Sequence, residues 1–264
     1  MLFRCAMLGA IAGDIIGSPY EFNNHRSEEF PLFIEESTFT DDSVLTVALA
    51  DSILTEIDYT TKIKEYYLRY PHMSYGGRFR AWAERNESEP YNSFGNGSAM
   101  RCSPAGWAYD TLEEVLKMAE LSARPTHNHP EGIKGAKAVA GSIFLARTQK
   151  SKEAVKEFVT DAIGYALDFS LPDLRRDYLF NETCQETVPQ AIYCFLISSD
   201  FEDAIRKAIS IGGDSDTVAC ITGSIAEAHY GGVPMEIKKQ VLSILDADLL
   251  RVVEEFYGKY IGLL

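Results

Sequence analysis

Apolar residues along most of this chain recur at the three- and four-residue spacing of helices. Over residues 43–54 the face is Val44, Leu45, Val47, Ala48 and Leu49, with Thr40 or Asp41 placed to cap its start. Asp110-Thr111-Leu112-Glu113 fits a capping box ahead of Val115, Leu116 and Met118. Residues 132–147 predict a helix rich in alanine and glycine, buried against neighbours, and Ser151 opens another through Ala154, Val155, Phe158 and Ile163. Further helices are predicted over 188–197, over 201–209 behind an Asp200 cap, over 214–229, and over 234–260 with a break near Asp246. Strand signals are weak, with no convincing alternation of β-branched residues between hairpin turns. The longest aperiodic stretch, residues 86–97, holds Ser, Asn, Gly and Pro and reads as a loop. Long loops in compact helical proteins are more often functional than idle. The pattern predicts one all-α domain spanning residues 1–264, with its connections carrying the site.

Composition adds that the chain is an ordinary soluble globular one, at 46% apolar and 24% charged residues. No apolar run is long enough to cross a bilayer, so no membrane association is expected. The formal net charge of −14 repels phosphate backbones and argues against free nucleic acid as a partner. Most of that charge reads as surface solubility, but carboxylates gathered around divalent cations would inflate the acid count too. Cys5, Cys102, Cys184, Cys194 and Cys220 are odd in number and form no C-x-x-C pair, which suits buried thiols in a reducing compartment. The segment from Arg4 and Cys5 to Gly13 loosely resembles a signal peptide. Its apolar stretch is short, Asp14 interrupts the chain directly after it, and no small-x-small cleavage site stands beyond. It reads as part of the folded protein, and the expected location is cytoplasmic.

Two acidic clusters carry the chemistry. In Phe39-Thr40-Asp41-Asp42-Ser43 adjacent carboxylates repel unless positive charge sits near them, and a solvated helix N-terminus alone could account for them. In Ile211-Gly212-Gly213-Asp214-Ser215-Asp216-Thr217 two glycines allow close backbone approach ahead of a D-x-D-T run and an apolar helix. Residues i and i+2 of a first helical turn point to different sides, so Asp214 and Asp216 reach one place only if that turn is distorted or the ligand sits over the helix end. Each cluster alone could be a capped helix. Together they offer four carboxylates and two threonines, an all-oxygen inventory suited to a pair of hard divalent cations.

Five ordered segments resemble the ADP-ribosylglycohydrolase family nearly end to end. They are Gly13-Asp14-Ile15-Ile16-Gly17 with Glu21; Thr40-Asp41-Asp42; Ser93-Phe94-Gly95-Asn96-Gly97 with Met100-Arg101; Thr126-His127 with Pro130; and Gly213-Asp214-Ser215-Asp216-Thr217. The resemblance implies a single-domain orthogonal bundle of helices. It implies that Thr40, Asp41, Asp42, Asp214, Asp216 and Thr217 ligate two Mg²⁺ ions, with Mn²⁺ as the alternative. It places Glu21 beside the metals for proton transfer or gating, Ser93, Phe94, Gly95, Asn96 and Gly97 around a diphosphate and ribose, and His127 along the cleft.

Other residues admit plainer readings. The run Phe94-Gly95-Asn96-Gly97-Ser98 is an ordinary turn on its own, yet its amides could cup an anion without net positive charge. Arg101 is expected to partner a buried carboxylate such as Asp14, with phosphate contact the lesser alternative. His129 is expected to be exposed or to cap a helix near Pro130, and Trp82 and Trp107 to lie in the core. The expected reaction is hydrolysis of a glycosidic bond between ADP-ribose and an acceptor such as a modified protein side chain, with Glu21, Asp41 and Asp214 catalytic and the protein a monomer. Two alternatives are a metal-dependent phosphohydrolase cutting the diphosphate and a non-catalytic ADP-ribose binder. Loops over 23–36 and 168–181 are expected on the acceptor side.

Overall fold

The computed structural model describes residues 6–262 and the backbone of residues 2–3. Arg4 and Cys5 of the leader-like segment lie outside the described residues. In chain order α1 is Leu8–Gly17, α2 Asp41–Thr55, α3 Tyr59–Arg69, α4 Gly77–Ala83 and α5 Gly97–Met100. Next come α6 Ser103–Ala108, α7 Leu112–Ala123, α8 Pro130–Thr148, α9 Lys152–Glu157 and α10 Leu171–Asp177. The remaining helices are α11 Cys184–Leu196, α12 Phe201–Ser210, α13 Ser215–Tyr230, α14 Met235–Ile244 and α15 Ala247–Tyr260. The strand content is one antiparallel pair among the described residues, Leu2–Phe3 with Val233–Pro234. The fold is all-α, as the periodicity predicts. No helix among the described residues is long and apolar enough to cross a membrane.

Several boundaries arise from local chemistry. Thr40 caps α2, its side chain accepting from the Asp42 N–H. The capping box at α7 is shifted by one residue from the expected frame, because Thr111 rather than Asp110 accepts from the Glu114 N–H, and its hydroxyl also bonds the Glu114 carboxylate at 2.8 Å. His129 caps α8 by accepting from the Glu131 N–H. The helix opened by Ser151 passes into a π-helical turn over Phe158–Ile163. The α11 helix begins at Cys184 and carries Pro189 inside it, with Cys184, Thr187 and Val188 buried ahead of the proline. Asp246 does divide the last stretch, capping α15.

The centre of the fold is an antiparallel pair, α1 against α13. Every residue of α1 is buried, as is α13 from Ser215 through Ala228, the pattern of helices with no solvent face. Glycines repeat every four residues on α1 and lie directly on α13. A Cβ on Gly9 would stand 2.3 Å from the Gly223 carbonyl oxygen, one on Gly13 2.0 Å from that of Ala219, and one on Gly17 2.6 Å from the Asp216 Cα. Backbone therefore packs on backbone, and the C-terminal end of α1 meets the N-terminal end of α13. The helices α8, α11 and α12 cover α13, while α2 and α14 pack on α1.

Gly13→Ala is expected to destabilise the protein by about 3 kcal/mol, the upper end of overpacking costs, because its new methyl meets main chain that cannot rotate away. Gly258→Ala in α15, with nothing within 4 Å of its Cβ, is expected to stabilise by about 0.5–1 kcal/mol through helix propensity. Urea unfolding of both variants checks this, and equal shifts of one sign would refute the contact argument.

Candidate active site

The first turns of α2 and α13 open on one cavity of about 320 Å³, within the range of small-ligand sites. Asp41, Asp42, Asp214, Asp216 and Thr217 all line it, together with Glu21 from the turn after α1. Asp42, Asp214 and Asp216 are buried and Asp41 half-buried. Glu21, Asp214 and Asp216 each offer a carboxylate oxygen, and these oxygens lie within 4.8 Å of one another. Asp214 and Asp216 converge because Asp214 stands outside the helix at φ −74 and ψ 73, the distortion that a D-x-D pair requires. Gly212 and Gly213 precede it with positive φ, and a Cβ on Gly213 would strike the Tyr178 ring at 2.5 Å.

Thr40 lies behind this surface. Its hydroxyl reaches Asp14 Oδ1 at 2.6 Å and Asp216 Oδ2 at 3.5 Å, and its oxygen accepts from the Asp42 N–H at 3.2 Å. Asp14 is the carboxylate whose role the sequence did not disclose. It accepts from the N–H groups of Thr40 at 2.9 Å and Ser43 at 3.1 Å, and from both hydroxyls. A residue of α1 thus finishes the N-terminus of α2. The expected Arg101–Asp14 partnership does not form. Asp14 is satisfied by the open end of α2, while Arg101 Nη2 donates to the Ser122 carbonyl and the Thr126 hydroxyl.

The electrostatics are those of a cluster short of positive charge. Burial raises the pKa of Asp41, Asp42 and Asp216 above the ordinary carboxylate range, and mutual repulsion raises them further, with Asp216 acting on both Asp41 and Asp42. Glu21 is pushed up to about 8 by burial and by Asp216, Asp41 and Asp14. Burial also raises Asp214, opposed by a hydrogen bond from Asn96 Nδ2 at 2.6 Å. The Arg80 guanidinium lowers Asp41, but its own donors go to the carbonyls of Pro71, Met73 and Tyr75. Asp42 Oδ2 is buried with no hydrogen-bond partner among the described residues. An all-oxygen set with a buried, unpartnered carboxylate oxygen fits hard divalent cations, and the cluster could bind metal.

The glycine loop forms the neighbouring wall. Ser93, Phe94, Gly95, Asn96, Gly97 and His127 all line the same cavity as the carboxylates. Three of the loop amides are already engaged, Ser93 N–H with the Thr126 carbonyl at 3.1 Å, Gly95 N–H with Ser93 Oγ at 3.1 Å and Asn96 N–H with the Glu182 carbonyl at 2.7 Å. The Asn96 side chain turns to Asp214 and to Thr187 Oγ1, at 3.2 Å from the latter. The loop and the D-x-D run are thereby tied together. Phe94 is partly exposed, its ring 5.3 Å from that of His129. His127 is buried against Gly95 and Gly97. Trp82 and Trp107 are core residues, as expected.

The segments after Glu21 and Tyr178 meet at the edge of the cavity. Phe22 and Phe180, both exposed, stack at 6.2 Å. Arg26 donates to the carbonyls of Leu174, Arg175, Tyr178 and Ile211, and so joins the segment after Glu21 to the C-terminal half of α10 and to the turn before α13. Glu182 also lines the cavity. The sequence held no local signal for Glu182, which sits in a polar run between two helices.

Comparison with known proteins agrees with this architecture. The family model described as ADP-ribosylglycohydrolase matches residues 2–262. The ADP-ribosylhydrolase ARH3 of Mus musculus is 29% identical over 311 aligned positions, covering 87% of this chain and 84% of that protein. The ADP-ribosyl-dinitrogen reductase glycohydrolase of Rhodospirillum rubrum is 23% identical, covering 86% of this chain and 84% of its own. A solved structure named as an ADP-ribosylglycohydrolase-related protein complex shares the fold, with a TM-score of 0.72 at 24% identity over 98% of this chain and 97% of that one.

Proposed function

This chain belongs to the ADP-ribosylglycohydrolase family, and from that premise we propose that it frees ADP-ribose from modified protein side chains with the help of two Mg²⁺ ions. The observation that carries the reading is the convergence of two distant helix N-termini, at Asp41-Asp42 and Asp214–Thr217, on one cavity beside the Ser93–Gly97 loop. Asp41, Asp42, Asp214, Asp216 and Thr217, which line the cavity, would hold the ions together with Thr40 behind them, with Mn²⁺ the alternative occupant. Bound divalent cations would supply Lewis acidity, lowering the pKa of a water and holding vicinal ribose hydroxyls.

The chain's own residues do the rest. Glycosidic cleavage passes through an oxocarbenium-like state, and the surrounding carboxylates favour its positive charge. Glu21, half-buried and close to Asp214 and Asp216, moves the proton between water and the leaving group. The loop and His127 fix the diphosphate, holding the anomeric carbon where water can attack. The edge around Phe22 and Phe180 takes the acceptor side. An acceptor on protein agrees with the name of the Rhodospirillum rubrum relative, which specifies dinitrogen reductase. A reducing cytoplasm is the setting that the buried thiols favour, and the protein is taken to act as a monomer there.

Incubation with Mg²⁺ and an ADP-ribosylated protein, with identification of the product, tests the reading. Free ADP-ribose is the expected product. AMP would replace the reading with diphosphate hydrolysis, and bound but uncleaved ADP-ribose would leave a binding protein. A panel of defined linkages, with arginine, serine, nucleobase and small-molecule acceptors, then assigns the leaving group.

A further inference from the structure

Arg101 is a fully buried cation with no carboxylate in ion-pair reach among the described residues. Its Nη2 donates to the Ser122 carbonyl at 3.1 Å and to Thr126 Oγ1 at 2.8 Å, while Nε and Nη1 have no acceptor among the described residues. Burying a guanidinium so incompletely satisfied is costly, and packing alone would be served by an apolar side chain.

Its one side-chain hydrogen bond among the described residues has a definite polarity. A guanidinium only donates, so Thr126 Oγ1 accepts from Arg101 and keeps its own proton for another partner. That partner is His127 Nδ1, 2.7 Å away. No other acceptor is within bonding distance of the Thr126 hydroxyl among the described residues. Were Nδ1 to carry a proton, two donors would converge on one oxygen and the hydroxyl hydrogen would be left buried and unpaired, at a cost of about 1–3 kcal/mol. The His127 ring lies on the glycine loop, with Nε2 3.7 Å from where a Gly95 Cβ would be and 3.5 Å from that of Gly97.

We propose that Arg101 is a positioning residue that acts through Thr126 to hold His127 as its Nε2–H tautomer, so that the glycine loop faces an N–H donor. Diphosphate oxygens only accept hydrogen bonds, and an Nε2 lone pair in their place would repel them. The ligand half of this inference rests on the reading that the Ser93–Gly97 loop holds the diphosphate of ADP-ribose; the tautomer half does not.

Carbon-13 and nitrogen-15 shifts of labelled histidine, recorded on the whole protein without ligand, report the tautomer directly. Wild type is expected as pure Nε2–H. Thr126→Val, nearly isosteric but unable to donate, is expected to give a mixture, and Thr126→Ser to restore wild type. Arg101→Met is expected to release the tautomer likewise, and the Thr126 variants keep the relay testable if that chain fails to fold. By calorimetry Thr126→Val should weaken ADP-ribose binding about tenfold, the order of one charge-assisted hydrogen bond, and Thr126→Ser by no more than about twofold. An Nδ1–H wild type, or an unchanged tautomer in Thr126→Val, overturns the relay whatever the affinity. A folded Arg101→Met that keeps the wild-type tautomer removes Arg101 from it. If the tautomer moves as expected but ADP-ribose does not bind wild type, the relay stands and the proposed function fails.

Discussion

Asp216→Asn is expected to lower kcat about a thousandfold while making the metal-free protein more stable. Asp216 is the carboxylate common to the cluster: it raises Asp41, Asp42 and Glu21, meets Thr40 at 3.5 Å, and accepts from the Thr217 N–H at 2.8 Å. An asparagine oxygen still accepts from that N–H, and its amide can donate to neighbouring carboxylates, so the fold keeps its hydrogen bonds. What disappears is the charge that would hold a cation. Losing Lewis-acid assistance worth several kcal/mol corresponds to roughly three powers of ten in rate. Removing one of several crowded negative charges has the opposite sign for stability without metal, the trade that active sites commonly show. Calorimetric Mg²⁺ titration, kcat at limiting Mg²⁺ and melting in chelator check the three parts. Full activity at limiting Mg²⁺ would sink the metal role. An unchanged metal-free Tm would leave the cluster a set of ordinary helix caps.

Chelation itself is expected to produce the second large effect, and one that grows with pH. Glu21, Asp41, Asp42, Asp214 and Asp216 all have raised pKa values in the folded chain. Between the ordinary carboxylate range, about 4, and about 8 for Glu21, the folded state keeps protons that the unfolded chain has released. Stability then falls as pH rises. Glu227, buried under Gly9 and also raised to about 8, gives a slope of the same sign that metal does not relieve. The telling quantity is therefore the gap between melting curves in chelator and in Mg²⁺. At a thousandfold excess over Kd, Mg²⁺ adds about 4 kcal/mol, or about 10 °C in Tm at roughly 2–4 °C per kcal/mol. That gap should be large near pH 8 and shrink toward pH 5, where protons compete with the cation. Coincident curves at pH 8 would end the metal-site reading.

Much of this arrangement was legible in the chain because it is local. Helical faces, the Thr40 cap and the Asp246 break are carried by spacing within one or two turns. The capping box at α7 was misplaced by one residue because Asp110 and Thr111 are both competent caps and only the fold selects between them. Non-local partners were another matter. Asp14 closes a helix 26 residues further on, Asn96 steadies an aspartate 118 residues away, and Arg101 turned from carboxylates to the Thr126 hydroxyl. No spacing rule reaches that far. The convergence of Asp214 and Asp216 hung on one non-helical residue, which D-x-D after two glycines permits without requiring.

The glycine ladder between α1 and α13 gives the site little mechanical compliance. With main chain on main chain there is no side chain to change rotamer, so the separation of the two acidic clusters behaves as a fixed calliper, and Asp14 transmits that setting to α2. A bound cation would then be selected by radius, because the jaws would not adapt to it. The rim joined by Arg26 and by the Phe22–Phe180 stack is built from connecting segments, and it can be rebuilt for a new acceptor without resetting the calliper.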